Sequence, residues 1–343
     1  MVTPRTAGEQ WSAMRTLVIG GSIFLGRAIV EEALRRGHEV TTFNRGRNGV
    51  DVPGVEAVRG DREVTSDLER LAEGREWDIV VDVCGFVPRV VGDSVRVLNG
   101  RAATYAFISS ISACSAWPGQ AADESSPRFE CAPDAGRDDG DYGVLKAGCE
   151  RAVEQGFDGN ALIIEPGLIL GPHENVGRLP WWLTRIDRGG RVLAPGDPDM
   201  AMQLIDARDI AAFTLDQAEA GTNDRFFVSG VRGNITYRGL LEECRAATGS
   251  DAELVWVDDE FLLGRDVAPW TELPIWAPRN EEFAGVWLPS SEKALAAGLR
   301  CRPVAETVRD TWAWLREVPV EERSFRGHGI DPEKEAKILA EWA

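Results

Sequence analysis

The stretch LVIGGSIFLGRAIV, residues 17–30, decides the fold. A short Val/Ile-rich run enters the glycine pair Gly20-Gly21 and leaves through Ser22-Ile23-Phe24-Leu25-Gly26 into an apolar repeat at 25, 29, 30, 33 and 34, closed by Gly37. That pattern is a buried strand, a tight turn and a helix. Such a turn aims free backbone N–H groups and the positive end of a helix dipole at one point, a natural seat for an anion. In a dinucleotide fingerprint the first glycine makes the turn, the middle one lets pyrophosphate approach the backbone, and the last allows close helix-to-strand packing. Here Ile23 stands at the middle position. It serves only if its side chain turns away and leaves its N–H usable; alone, the turn reads equally well as purely structural.

Working outward, HEVTTFNRG, VEAVRGD, DIVVDVCGF, TYAFISS and NALIIEPGLILGP read as strands, with helical stretches near 64–74, 88–100 and from DYGVLKAGCERAVEQG between them. Val/Ile-rich strands separated by crossovers predict an α/β fold, a Rossmann-type doubly wound parallel sheet. Residues 115–141, rich in turn-forming and acidic residues, read as a surface loop. Beyond about 173 the alternation fades among tryptophans and prolines, which predicts a smaller C-terminal substrate lobe. The expected division is an N-terminal extension at 1–14, an NAD(P)-binding domain at 15–172 to which 203–235 returns, and a substrate-binding lobe from 173–202 and 236–343.

A net charge of −18 repels polyanions, so nucleic acid is not an expected partner. A local positive field inside an acidic protein can still hold a dinucleotide. Six scattered cysteines and three histidines suggest neither a disulfide framework nor a metal site. No apolar run is long enough for a membrane span and no secretion signal precedes the first strand, so a cytoplasmic protein is expected, with a homodimer as a further option.

Asn44 and Arg45 close the second strand, about where the adenosine ribose lies in such a unit. An uncharged Asn44 beside Arg45 suits a 2′-phosphate and favours NADP(H), with NAD(H) as the alternative and a solvated arginine as the plain reading. Tyr142 and Lys146 stand four apart on one helix face. A phenol is a poor acid or base near neutrality, but an adjacent ammonium favours its ionised form and makes it a usable proton shuttle. With three tyrosines and four lysines in the chain, chance predicts only about 0.03 such pairs. Ser110 ends the strand YAFISS, where a parallel strand opens into the ligand crevice, and its hydroxyl can hold a substrate oxygen.

Together GGSIFLG, FISSIS, DYGVLK and EPGLILGP, in this order, resemble the extended and atypical short-chain dehydrogenase/reductases, the NAD-dependent epimerase/dehydratase family. The resemblance covers about residues 15–316, including QLIDARDIA. It implies Tyr142 as acid/base, Lys146 as the cation easing its ionisation and a ribose ligand, and Ser110 as substrate-oxygen donor. Gly20, Gly21, Ser22, Ile23, Phe24, Leu25 and Gly26 would cradle pyrophosphate. Asp61 would meet adenine, Cys84, Gly85 and Phe86 would form the loop after the fourth strand, and Pro166, Gly167 and Leu168 would border the nicotinamide.

Atypical branches carry a GGTxFLG-like turn, which makes Ile23 compatible with a cradle. Glu165 stands where relatives usually have arginine, and Cys114 where many have tyrosine; the first substitution alters substrate recognition or reflects local packing. The implied reaction is reversible hydride transfer between nicotinamide and a secondary alcohol or ketone of a nucleotide-sugar or related small metabolite. If the hydride stays on the product the enzyme is a reductase or dehydrogenase; if it returns to the other face, an epimerase. Ser112, Arg178, Gln203 and Arg208 are candidate substrate contacts, the last three for an acidic or diphosphate portion, and Trp181 and Trp182 are candidates for a cleft wall. The alternative is a nucleotide-sensing or RNA-binding protein on the same scaffold, since the atypical branch also resembles chloroplast stem-loop RNA-binding proteins.

Overall fold

A computed structural model describes residues 13–323 and 325–342; residues 1–12 of the expected N-terminal extension lie outside the described residues. The chain runs β1 (Arg15–Ile19), α1 (Phe24–Arg35), β2 (Glu39–Asn44), β3 (Glu56–Arg59), α2 (Thr65–Ala72), β4 (Trp77–Asp82), α3 (Pro88–Leu98), β5 (Ala102–Ile108), α4 (Tyr142–Gly156) and β6 (Asn160–Pro166). There follow β7 (Leu168–Leu170), α5 (Arg178–Asp187), β8 (Arg191–Pro195), β9 (Ala201–Met202), β10 (Leu204–Asp206), α6 (Ala207–Glu219) and β11 (Asp224–Val228). The last stretch holds β12 (Ile235–Thr236), α7 (Tyr237–Thr248), β13 (Glu253–Val257), α8 (Asp259–Leu263), α9 (Glu292–Ala296), α10 (Val304–Leu315) and α11 (Pro332–Glu341).

Seven strands form one sheet in the order β11-β6-β5-β4-β1-β2-β3, every pair parallel. Right-handed crossovers place helices on both faces of such a sheet, and the strand period of two divides the side chains between them. In β1, Val18 joins the core under α1 and α6, while Leu17 and Ile19 join the core under α2, α3 and α4. In β5, Ala106 and Ile108 go to the first core and Tyr105 and Phe107 to the second. The α1 stripe buries Leu25, Ile29, Val30 and Ala33 of the sequence repeat, while Leu34, its last position, is only partly buried against the same core. The order reverses between β1 and β4, so the carboxyl ends of these strands open a crevice at the switch point.

NALIIEPGLILGP, expected as one strand, is two. Gly167 N–H bonds back to Val228 O at 3.1 Å, and beyond it β7 pairs with β10 outside the main sheet. QLIDARDIA accordingly does not itself enter the main sheet; β11, later in the chain, does. A third core gathers Leu179, Trp182, Ile186, Tyr237, Leu241 and Trp276, all from the second half of the chain. The segment 285–290 is stitched to the 115–141 loop: Gly285 N–H bonds Pro118 O at 2.8 Å and Ser290 N–H bonds Ala122 O at 2.8 Å. Among the described residues no helix is long and apolar enough to cross a membrane.

Candidate functional site

A cavity of about 1020 Å³ follows the carboxyl ends of the main strands and continues between the sheet and the second half of the chain. That lies at the upper end of the ~300–1,000 Å³ typical of small-molecule and cofactor sites.

Its floor is the glycine turn. Gly20 (φ 109°) and Gly21 (φ 92°) both sit in the region that favours glycine. A Cβ at 20 would come 2.6 Å from Val83 Cγ2, and one at 26 would come 2.9 Å from the same atom and 3.0 Å from Gly21 N. Ile23 is the extended N-cap of α1, with no side-chain capping bond and no acidic residue in the first turn. The first-turn N–H groups are thus free of side-chain competitors, as an anion requires. The Ile23 Cγ2 methyl lies toward Gly49, where an added Cβ would approach it to 3.0 Å. Ser22, Ile23, Phe24 and Leu25 all line the cavity.

At the end of β2, Asn44 is committed to structure. Its Oδ1 accepts from Gly46 N at 2.8 Å and Arg59 Nη1 at 2.6 Å, while Nδ2 donates to Gly20 O and Asp51 Oδ1, each at 3.4 Å. Arg45 lines the cavity 3.8 Å from Asp61. Arg47 lines it too, with no hydrogen bond or ion pair among the described residues. Asp61 Oδ1 accepts from Glu63 N at 3.0 Å. Sequence reasoning missed Arg62, a buried guanidinium that grips Asp82 through two bonds of 2.6 and 2.8 Å and also donates to Ser94 Oγ. Cys84 donates Sγ–H to Ile19 O at 3.4 Å, and burial pushes its thiol pKa up. Phe86 and Cys84 line the cavity; Gly85 does not, and serves instead through its carbonyl.

Tyr142 opens α4 and is 51% exposed, whereas Lys146, one turn on, is 3% exposed. Lys146 Nζ donates to Gly85 O at 2.9 Å and Ile108 O at 2.7 Å, which ties it to the ends of two adjacent strands. Ser110 Oγ accepts from Ser112 N and donates to Ser112 Oγ, both at 3.1 Å. α4 reaches this turn because residue 143 is glycine: a Cβ there would lie 2.2 Å from Ser112 O. Ser110, Ser112, Tyr142, Lys146, Pro166, Gly167 and Leu168 all line the one cavity.

The substrate-side candidates divide. Arg178 lines the cavity, bonded to Glu174 and Ile169 O. Gln203 also lines it, but its NH₂ donates to Gly230 O at 2.6 Å and Pro289 O at 3.0 Å, so it offers no donor to a phosphate. Arg208 is off the cavity, paired with Asp206 and Asp310. Trp181 and Trp182 are not a cleft wall: they follow the inward face of α5 into the third core, where Trp182 Nε1 donates to Pro274 O at 2.6 Å. The tryptophans that do line the cavity are Trp117, Trp270 and Trp287. For Trp117 and Trp270 the signal was position beside proline in irregular segments, WPG and APW, and for Trp287 position two residues before one, in WLP, rather than in a helical repeat.

Glu165 faces away from the cavity. It is fully buried and held bidentately by Arg128, Nε to Oε1 at 2.8 Å and Nη2 to Oε2 at 2.7 Å. Burial, then the nearby Glu150 carboxylate, push its pKa up to about 8. The arginine expected on β6 is thus replaced by one reaching in from the 115–141 loop. Cys114 is fully buried in a small cluster with Ile111, Ala122 and Phe227.

The family model described as the NAD dependent epimerase/dehydratase family matches residues 16–228. UDP-glucose 4-epimerase of Thermotoga maritima, solved with UDP-glucose, superposes with a TM-score of 0.65 at 18% identity, over 89% of this chain and 99% of that one. The Bordetella bronchiseptica enzyme WbmH, solved with NAD+, gives 0.68 at 16% identity, over 90% and 100%. At such identities the likeness is one of fold. The chloroplast stem-loop binding protein of 41 kDa b of Arabidopsis thaliana is 24% identical over 276 residues, 75% of this chain and 70% of that protein.

Proposed function

The chain belongs to the NAD-dependent epimerase/dehydratase family, and from that premise we propose that it is an NAD(P)-dependent oxidoreductase or epimerase acting on a secondary alcohol or ketone of a nucleotide-sugar or related small metabolite. One observation carries the reading: a glycine turn free of side-chain caps and the set Ser110, Tyr142 and Lys146 line the same cavity. Bound nicotinamide would supply or accept the hydride. Ser110 Oγ would hold the substrate oxygen, and the Tyr142 hydroxyl would give it a proton in reduction or take one in oxidation. Lys146, fixed by two carbonyls, would present its charge beneath that hydroxyl and reach the ribose. Arg45 and Arg47, beside an uncharged Asn44, favour NADP(H) over NAD(H). Residues 173–202 and 236–343 would form the substrate side, in a cytoplasmic homodimer.

The Arabidopsis relative's name supports a second reading, a nucleic-acid-binding or nucleotide-sensing protein; the charge of −18 argues against the RNA form of it. Titration with NADPH and NADH by tryptophan quenching, followed by a panel of carbonyl compounds and nucleotide-sugars, separates the two. We expect NADPH to bind more tightly and at least one substrate to turn over. Cofactor binding with no turnover on any substrate would favour the sensor, and no nicotinamide binding would reject both the enzyme and its cofactor.

A further inference from the structure

Part of the cavity is walled by rings. Trp117 and Pro118 come from the loop after β5, and Trp270, Val286, Trp287 and Pro289 from the second half of the chain. Trp270 and Trp287 lie 5.8 Å apart between centroids, and Trp117 Nε1 ties the two sides together by donating to Val286 O at 3.3 Å. Trp270 holds a φ of 61°, a conformation a bulky residue adopts only under constraint. Its N–H bonds Trp276 O at 3.1 Å, and Gly329 N–H bonds the next residue's carbonyl at 2.8 Å. Backbone strain of this kind concentrates where a side chain is held for a ligand.

Gln203 supplies a separate indication. Its NH₂ faces two carbonyls, one of them Pro289 O on the wall itself, which fixes the amide's orientation because the flipped form would set oxygen against oxygen. Its Oε1 then has no partner although the residue is 3% exposed, and a buried acceptor of this kind calls for a donor.

Resting on the reading of the cavity as a nicotinamide and substrate site, we propose that Trp117 and Trp270, with the buried Trp287 packed against Trp270, form a ring-stacking subsite. It takes the flat, largely apolar ring of a substrate that carries a hydrogen-bond donor for Gln203. The ring would lie beyond the carbon presented to Ser110 and Tyr142, so acyclic ketones would be poor ligands.

The test uses the full chain saturated with whichever nicotinamide binds, and measures affinity by calorimetry for tetralone, a hydroxytetralone, butanone and UDP-glucose. The expected order is hydroxytetralone, then tetralone, then butanone. UDP-glucose reports whether a nucleobase can supply the ring in place of a carbocycle. For whichever ring probe binds, Trp270→Leu is expected to weaken it about tenfold or more, with Trp270→Phe retaining most of the affinity and cofactor binding unchanged in both. Ring and acyclic probes binding alike in the wild-type protein, a measurement that needs no variant, would overturn the subsite. Full ring affinity in Trp270→Leu would do the same, and equal affinity for the two tetralones would remove Gln203 from it. Failure of any nicotinamide to bind would instead overturn the reading beneath the proposal, a separate result.

Discussion

Tyr142 and Lys146 occupy adjacent turns of one helix face yet play physically different parts. Tyr142 is half-exposed over the cavity, its ring 6.5 Å from that of Phe86, and its hydroxyl has no hydrogen-bond partner among the described residues. Tyr142→Phe should therefore leave the urea midpoint and cofactor affinity unchanged while lowering turnover about 10²–10⁴-fold; a variant with full turnover would remove the proton-transfer role. Lys146 is a buried brace between Gly85 O and Ile108 O. Lys146→Met leaves two acceptors without their donor, at about 1–3 kcal/mol each, so turnover and stability should fall together, as read by kinetics and urea unfolding. The spacing of these two residues was legible because a helix repeats every 3.6 residues. Gln203 was misjudged as a donor because nothing in a sequence tells which carbonyls an amide will meet.

At the scale of elements, the 115–141 loop is fastened to the sheet through charge. Arg128 reaches Glu165 on β6 and approaches Glu150 on α4 to 3.9 Å, while Arg225 on β11 lies 3.2 Å from Glu150. Above about pH 8, where Glu165 is ionised, Arg128→Met should destabilise by about 3–5 kcal/mol, because it leaves that buried carboxylate with only Arg225, 3.7 Å away, among the described residues. The pH dependence has a definite sign. Glu165 titrates at about 8 when folded against a reference of 4.5, so the folded state holds an extra proton between those values. Its stabilising contribution is complete below about 4.5 and is lost as pH rises through about 8. Glu165→Gln should flatten that part of the stability profile, measured by urea unfolding at intervals from acid to mildly alkaline pH; an unchanged slope would show that another group sets it. β1 through β6 and α1 through α4 were legible in the sequence as Val/Ile-containing runs alternating with helical stretches, with the clearest period in α1, although β3 proves largely exposed. The break at Gly167 was not, since it depends on a bond to Val228 O. Nor was the seam between the loop and the second half: Trp117 and Val286 are 169 residues apart, and their bond leaves no local pattern.

Across the whole molecule, charge is distributed against its average. The chain carries −18, yet Arg45, Arg47, Arg62, Arg137, Arg178, Arg326 and Lys146 line the cavity against only Asp61 and Glu63 among acids. Four of the arginines have carboxylate partners at Asp61, Asp82, Glu63 and Glu174 and Lys146 is held by two backbone carbonyls, which leaves Arg47 and Arg326 as the arginines without an ion pair among the described residues lining it. A low-dielectric cleft of this kind focuses a positive field on an anionic ligand while the outer surface repels polyanions at large. If that field draws in the phosphates, cofactor at a hundredfold excess over its dissociation constant should stabilise the fold by about 2.7 kcal/mol. The effect should shrink as added salt shortens the screening length from about 10 Å at 0.1 M to about 3 Å at 1 M. NADPH should lose more than NADH over that range, because it brings the additional phosphate. The paired variant Arg45→Ala, Arg47→Ala should bring the two cofactors together if these are the cations that meet that phosphate. Thermal unfolding with each cofactor at both salt concentrations measures all three effects. Equal shifts for NADPH and NADH that ignore salt would mean that the arginines are scaffolding and that the backbone turn alone binds the dinucleotide.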